Sequence, residues 1–311
     1  MKQDTIYSVI FGHAVADALG VPVEFLSRDQ IARCPVTDMM GFGSYPYPAG
    51  SWSDDTSMSL CALSSLSNDK ISWKDIMANF TLWLTEDKFT PTGECFDVGR
   101  TCLRAIRRWA SNEAGATECG LTDEYSNGNG SLMRINPFVL YAFAKKMPVA
   151  IWTNIIHKAS SLTHAHERSL IGCGIYAFVL MELLNNPVKE SVNIGLVKAK
   201  AFYCEYKEFG HYERIFKDGF SSLDSSEINS SGYIVDTLEA ALWCLLNSEN
   251  YKDCVLKAVN LGRDTDTVGA VAGGLAGALY GVGNIPKKWL DTLQNRELIE
   301  DLCDKATEKW I

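Results

Sequence analysis

Gly262-Arg-Asp-Thr-Asp-Thr-Val-Gly-Ala-Val-Ala-Gly-Gly-Leu-Ala-Gly-Ala-Leu-Tyr-Gly281 is the stretch around which the rest of the chain is organised. It opens on two aspartates and two threonines and then becomes small and apolar. Asp and Thr suit the cap and first turn of a helix, where unpaired N–H groups and the positive end of the helix dipole favour carboxylates. Gly269, Gly273, Gly277 and Gly281 recur every fourth residue, which sets all four along one helical ridge. Each is about 1 kcal/mol worse than alanine inside a helix, so the ridge makes sense only where another helix must approach this backbone closely. A polar end on a tightly gripped helix is suited to a rigid site.

Ile6 to Leu19 also reads as a helix, with Gly12, Ala16 and Gly20 at the same spacing, and the two ridges are expected to pack together. Gly20 and Pro22 stop this helix and deliver Glu24 immediately afterwards. Ser53-Asp54-Asp55-Thr56, followed by the apolar Ser57 to Leu66, repeats the chemistry of the late stretch: a hydroxyl cap with two carboxylates in the first turn. Asp97 stands at another helix entrance. The polar loop Ser111 to Gly130 ends in Asn127-Gly128-Asn129-Gly130-Ser131-Leu-Met-Arg134, whose glycines free backbone N–H groups in front of a helix. That pattern is either an anion nest or simple turn chemistry. His164 and His166 join two helices, as satisfied structural groups or as ligands.

Further helices are expected at Trp73 to Leu84, Gly99 to Ala110, Ala150 to Ser161, Glu167 to Leu184, Val192 to Tyr206, Gly232-Tyr233 through Leu246, Tyr251 to Leu261 and within Pro286 to Ile311. Gly41 to Trp52 is too rich in Gly and Pro for regular structure, and its aromatics would line a cleft. With no alternating strand pattern, repeat or linker, residues 1–311 read as one all-α domain, a single compact helical bundle.

Composition narrows the class of function. The chain has 311 residues, 47% of them apolar, which can fill a sizeable core. A net charge of −9 with scattered basic residues argues against a nucleic-acid groove. Ten dispersed cysteines, none in a Cys-x-x-Cys pair, fit reduced residues of a cytoplasmic protein. No signal peptide is expected from an N-terminal stretch broken by His13 and Asp17, with no basic leader beyond Lys2. No membrane span is expected either, the longest apolar candidate being Val268 to Val282, about 15 residues against the roughly 20 needed.

If the two acidic helix starts converge, Asp54, Asp55, Asp264 and Asp266 meet with the hydroxyls of Ser53, Thr56 and Thr267. Four clustered carboxylates cannot all stay ionised unaided, since each raises its neighbours' pKa and burial raises them further. An all-oxygen donor set favours hard divalent ions such as Mg²⁺ or Mn²⁺, and two would balance the four charges. A two-metal centre about 3.5–4 Å across can orient a substrate oxygen and activate water. Arg263 would help to balance charge from outside the ligand set.

Six motifs in order then carry a specific resemblance: Asp17-Ala-Leu-Gly20-x-Pro22-x-Glu24-Phe25, Ser53-Asp-Asp-Thr56, Gly128-Asn-Gly-Ser-Leu-Met-Arg134, Thr163-His164, Gly232-Tyr233-x-x-Asp-Thr237 and Gly262-Arg-Asp-Thr-Asp-Thr267. Together they resemble the ADP-ribosylglycohydrolase family, relatives of dinitrogenase reductase-activating glycohydrolase, from about residue 5 to 285. The resemblance implies an orthogonal all-α bundle with a binuclear Mg²⁺ or Mn²⁺ centre that cleaves the bond between C1″ of ADP-ribose and a modified side chain. It implies Ser53, Asp54, Asp55, Asp264, Asp266 and Thr267 as metal ligands, and Glu24, Asp97, Asp55 and Asp264 as the groups nearest the chemistry, with Glu24 and Asp97 beside the distal ribose. Gly128, Asn129, Gly130, Ser131 and His164 would hold the pyrophosphate and Tyr233 would flank the adenine. The chain departs from the family at Ala16, usually Gly, and at Ser53, often Thr. The partner implied is an ADP-ribosylated protein or small molecule acted on by a monomer, with ADP-ribose as product. Arginine is the expected acceptor because the motif style resembles the nitrogenase-regulating type. Serine, threonine or nucleic-acid linkages, and a non-catalytic ADP-ribose-binding or immunity protein, stand as alternatives. A prenyl-diphosphate synthase is disfavoured, since no Asp-Asp-x-x-Asp run occurs.

Overall fold

The computed structural model describes residues 3–68 and 70–311; Met1, Lys2 and Asp69 lie outside the described residues. In chain order the α-helices are α1 (Gln3–Gly20), α2 (Arg28–Arg33), α3 (Asp54–Leu66), α4 (Trp73–Glu86), α5 (Arg100–Ala110), α6 (Asn136–Ala144) and α7 (Val149–Ser161). They continue as α8 (Glu167–Asn185), α9 (Glu190–Tyr203), α10 (Ile234–Leu246), α11 (Tyr251–Val259), α12 (Thr265–Tyr280), α13 (Lys287–Thr292) and α14 (Arg296–Trp310). The architecture is all-α, and among the described residues the β-type pairing amounts to two isolated bridges, Leu121 with His164 and Gly128 with Tyr233.

α1 and α12 form the central pair, and small residues set their separation. A Cβ built on Gly277 would lie 1.9 Å from Ser8 O, one on Gly273 2.3 Å from Gly12 O, one on Gly269 2.8 Å from Ala16 O, and one on Gly20 2.4 Å from Asp266 Cα. The contacts advance along α1 as they retreat along α12, so the helices run antiparallel and the end of α1 meets the start of α12. Gly281 departs from the expected ridge. Its φ of +84° ends α12, its N–H donates to Gly277 O at 2.9 Å, and a Cβ there would meet nothing within 4 Å, so its role is the left-handed turn beyond a helix end.

α3 is docked onto this pair through its first turn. Ser53 caps it, accepting from Asp55 N. Asp17, buried on α1, accepts from Ser53 N at 3.0 Å, Thr56 N at 3.1 Å and Thr56 Oγ1 at 2.6 Å, so one carboxylate satisfies donors that a helix start leaves unpaired. Buried side chains from α1 to α14 join in one apolar core.

Two expectations need correction. Gln3–Val23, 21 residues with mean hydropathy 1.5, is long and apolar enough to cross a membrane by length and composition, which the broken pattern around His13 and Asp17 concealed. In the fold 94% of that window is buried, with His13 donating to or accepting from neighbours inside the core, as befits a central helix. The helix expected to run to Tyr206 ends at Tyr203, and 3₁₀ turns occupy Lys207–Phe216. α2 was too short for a periodic pattern; a capping box between Ser27 and Gln30 holds it.

Candidate active site

The antiparallel pairing brings the segment after α1 and the start of α12 to one place, with the start of α3 beside them. Carboxylate oxygens of Asp17, Asp55 and Asp266 lie within 4.8 Å of one another, and so do those of Glu24, Asp264 and Asp266. Two three-carboxylate clusters therefore share Asp266. Ser53 Oγ and Thr267 Oγ1 both donate to Asp55 Oδ2, at 3.0 and 3.3 Å, while Asn129 Nδ2 donates to Asp264 Oδ2 at 2.9 Å. Thr56 is turned to Asp17.

Asp54 belongs to neither three-carboxylate cluster. Its Oδ2 accepts from Gly99 N at 3.4 Å, and it faces a cavity of about 290 Å³ along with Glu24, Asp97, Asp264, Thr267 and the Gly128 to Gly130 loop. Tyr45, from the aromatic loop before α3, sets its hydroxyl against both Glu24 and Asp97. Its ring leans on Phe96 at 5.0 Å.

Burial is the first cause that raises the carboxyl pKa values of Asp54, Asp55, Asp264 and Asp266, and mutual repulsion adds to it. Glu24 is pushed up to about 9 by burial, then by Asp97 and Asp264. Asp17 rises to about 7 through burial, held back by the hydrogen bonds from Thr56 and Ser53. Arg263, expected to balance this charge, points elsewhere: it is exposed and lines a separate cavity with Arg28, where its left-handed backbone (φ +66°) pairs with Phe25 and Leu26.

Glu24 Oε2, Asp55 Oδ1 and Asp266 Oδ2 are buried without a hydrogen-bond donor among the described residues. An unsatisfied buried carboxylate oxygen is costly, and one such oxygen comes from Asp55 in the first cluster, one from Glu24 in the second, and one from the shared Asp266. The donors are all oxygen. These residues fit a pair of hard divalent cations.

The second wall of the cavity carries Gly128, Asn129, Gly130 and His164. The nest is narrower than its letters suggest, because Asn129 N–H is already given to Gly232 O at 3.0 Å. Ser131 is wholly buried, its hydroxyl turned away to Ser160 and Cys173. Tyr233 does not line the cavity; its half-buried ring packs under Arg168, 5.8 Å from the guanidinium. The exposed rings of Phe25 and Tyr125 do line it. Of the two junction histidines, His166 caps α8 through Arg168 N and His164 faces the cavity. Asp17 and Tyr45 went unassigned in the sequence. The signal for Asp17 was a lone carboxylate among small and apolar residues on a helix that had to be buried.

The sequence profile of the ADP-ribosylglycohydrolase family matches residues 1–311. The chain is 34% identical over 303 residues to an ADP-ribosylarginine hydrolase of Serratia proteamaculans, covering 97% of this chain and 78% of that one. It is 33% identical over 294 residues to the ADP-ribosyl-[dinitrogen reductase] glycohydrolase of Rhodospirillum rubrum, covering 94% and 90%. A solved structure described as an ADP-ribosylglycohydrolase-related protein complex superposes with a TM-score of 0.83 at 33% identity over 99% of both chains. The chain belongs to the ADP-ribosylglycohydrolase family and is a glycohydrolase of that class.

Proposed function

We propose that this enzyme hydrolyses the bond between C1″ of ADP-ribose and an arginine side chain of a modified protein, using two divalent cations, Mg²⁺ or Mn²⁺. The observation that carries the reading is the pair of carboxylate clusters sharing Asp266, of which Glu24 and Asp264 line a cavity together with the Gly128 to Gly130 loop and His164. Arginine as acceptor is supported by the relatives named for ADP-ribosylarginine and for dinitrogen reductase.

In this reading Asp55, Asp264 and Asp266 hold the cations with Asp17 or Glu24 completing each set, while Asp54, Ser53 and Thr267 flank them. Bound there, the ions would supply positive charge that orients ribose hydroxyls and activates water. Glu24 and Asp97 face the anomeric carbon, where their negative charge stabilises an oxocarbenium-like centre. Burial and its acidic neighbours keep a proton on Glu24 in the metal-free site; cations bound beside it would favour the carboxylate, which could then take a proton from the attacking water. Tyr45 would restrain both carboxylates through its hydroxyl. The loop glycines admit an anionic diphosphate close to backbone, and the exposed Tyr125 and Phe25 offer apolar faces at the rim.

The test is incubation with Mg²⁺ or Mn²⁺ and peptides carrying ADP-ribose on arginine, serine or threonine, with free ADP-ribose measured. Release from the arginine peptide that disappears in Asp264→Ala is expected. Release only from serine or threonine would change the acceptor, and none from any would leave the non-catalytic binding reading.

A further inference from the structure

Arg134 closes the glycine motif and is fully buried at 0% exposure, yet no carboxylate pairs with it among the described residues. Its Nη1 donates to Ala159 O at 3.1 Å and its Nη2 to Thr163 Oγ1 at 2.6 Å; Nε has no acceptor, and the guanidinium lies 5.0 Å from the centre of the Phe80 ring. A buried cation without a counter-ion is expensive. Arg134 does not line the cavity itself and is linked to it through Thr163 and His164.

The hydrogen bonds around it have a fixed direction. Arginine can only donate, so Thr163 Oγ1 must accept from it. The hydroxyl then has one proton to give, and His164 Nδ1 stands 2.8 Å away. The competing acceptor is Cys102 Sγ, a weak one, whose own S–H donates to Gly130 O. An imidazole that accepts at Nδ1 and stays neutral carries its proton on Nε2. Burial and the Arg134 charge hold His164 neutral, its pKa pushed down to about 3. Nε2 lies on the cavity side: a Cβ on Gly130 would be 3.5 Å from it, and one on Gly128 3.7 Å.

We infer that Arg134 and Thr163 are positioning residues that fix His164 as an Nε2–H donor to an anionic oxygen of the ligand. Taking the anion as the diphosphate of ADP-ribose rests on the function proposed above. The direction of the hydrogen-bond chain does not.

Two readouts test it on Mg²⁺-loaded protein: the His164 tautomer from imidazole ¹⁵N shifts without ligand, and the Kd of ADP-ribose and of ADP. The wild type is expected to carry the proton on Nε2. Thr163→Val should mix the tautomers and weaken both nucleotides by about tenfold, and Thr163→Ser should restore both readouts. A wild-type proton on Nδ1, a tautomer unmoved by Thr163→Val, or a changed tautomer with unchanged affinities would each overturn the inference. Should Thr163→Val not fold, His164→Gln, whose amide N–H reaches the Nε2 position, must bind ADP about tenfold tighter than His164→Asn, whose amide does not; equal affinities would overturn it. Release of ADP-ribose from the arginine peptide is scored separately, and its absence would remove the functional reading while leaving the tautomer and ADP results to decide the inference.

Discussion

Gly273→Ala is the sharpest perturbation of the device that holds the site together. The added Cβ would lie 2.3 Å from Gly12 O and 2.4 Å from Ala16 Cβ, against the 3.4 Å or more of ordinary contact, so α1 and α12 must separate by about 1 Å. Overpacking of this kind costs about 1–3 kcal/mol. The upper end applies, because the obstacle includes a carbonyl held in a helix and cannot rotate away. Replacing a helical glycine returns about 1 kcal/mol, leaving a net destabilisation of about 2 kcal/mol and a fall in Tm of about 3 °C for a chain of 311 residues. The same separation moves Asp266 away from Asp17 and so weakens metal binding as well. Gly283→Ala, where a Cβ would meet nothing within 4 Å, is the control and should stay within about 0.5 kcal/mol of wild type. Thermal melting and Mn²⁺ titration calorimetry read both effects. If Gly273→Ala melts with Gly283→Ala and binds Mn²⁺ like wild type, the ridge does not set the geometry of the site.

Two further predictions follow from the charges. Burial and mutual repulsion make Glu24, Asp54, Asp55, Asp264 and Asp266 bind protons more tightly in the folded state than in the unfolded chain, Glu24 up to about pH 9, so stability of the metal-free protein falls as pH rises. Between pH 7 and 9, above the range in which the depressed His13, His157 and His164 give the opposite slope, Tm in chelator should drop and the stabilisation by Mg²⁺ should grow; a flat or rising Tm in chelator contradicts this. Tyr45→Phe removes the hydroxyl facing Glu24 and Asp97 and should lower kcat/KM by about tenfold with melting and Mn²⁺ affinity retained, so wild-type kinetics in that variant would dismiss a role for Tyr45.

What could be read in advance was whatever depends on local chemistry or on a repeating spacing. Ser53 caps α3 because a hydroxyl before two carboxylates is a helix start in any fold. The contact of α1 with α12 follows from fourfold small residues on both, while its antiparallel sense is seen only in the structure. Long-range hydrogen-bond choices were not written in the spacing. Asp54 and Asp55 are adjacent letters, but successive residues on a helix point about 100° apart, so one enters a three-carboxylate cluster and the other turns to Gly99. Ser131 belongs to the glycine motif, yet its hydroxyl serves Ser160 and Cys173 behind the loop. Arg263 follows a positive-φ glycine and is itself left-handed, which swings its side chain away from the cluster that its neighbour Asp264 joins. Tyr45 sits in a loop whose path no periodicity constrains.

Asp17 explains why packing and chemistry cannot be separated in this chain. It lies on α1 one residue beyond Ala16, the residue in contact with Gly269 and Gly273, so its distance to α12 is set by the absence of side chains on the ridge. Its carboxylate satisfies Ser53 N, Thr56 N and the Thr56 hydroxyl, which fixes α3 at the same separation, and it remains within 4.8 Å of Asp55 and Asp266. Three helices are thus brought to one point by a group that resists being there: burial alone drives its proton affinity up. A fold selected for stability alone would place an apolar side chain at this junction. Keeping the acid there sacrifices stability in the metal-free protein, and under the proposed function cations bound by the folded state would return it in proportion to the logarithm of their concentration over Kd. The raised proton affinity of Asp17 and the fit of these carboxylates to positive charge thus have one origin, acids crowded away from water.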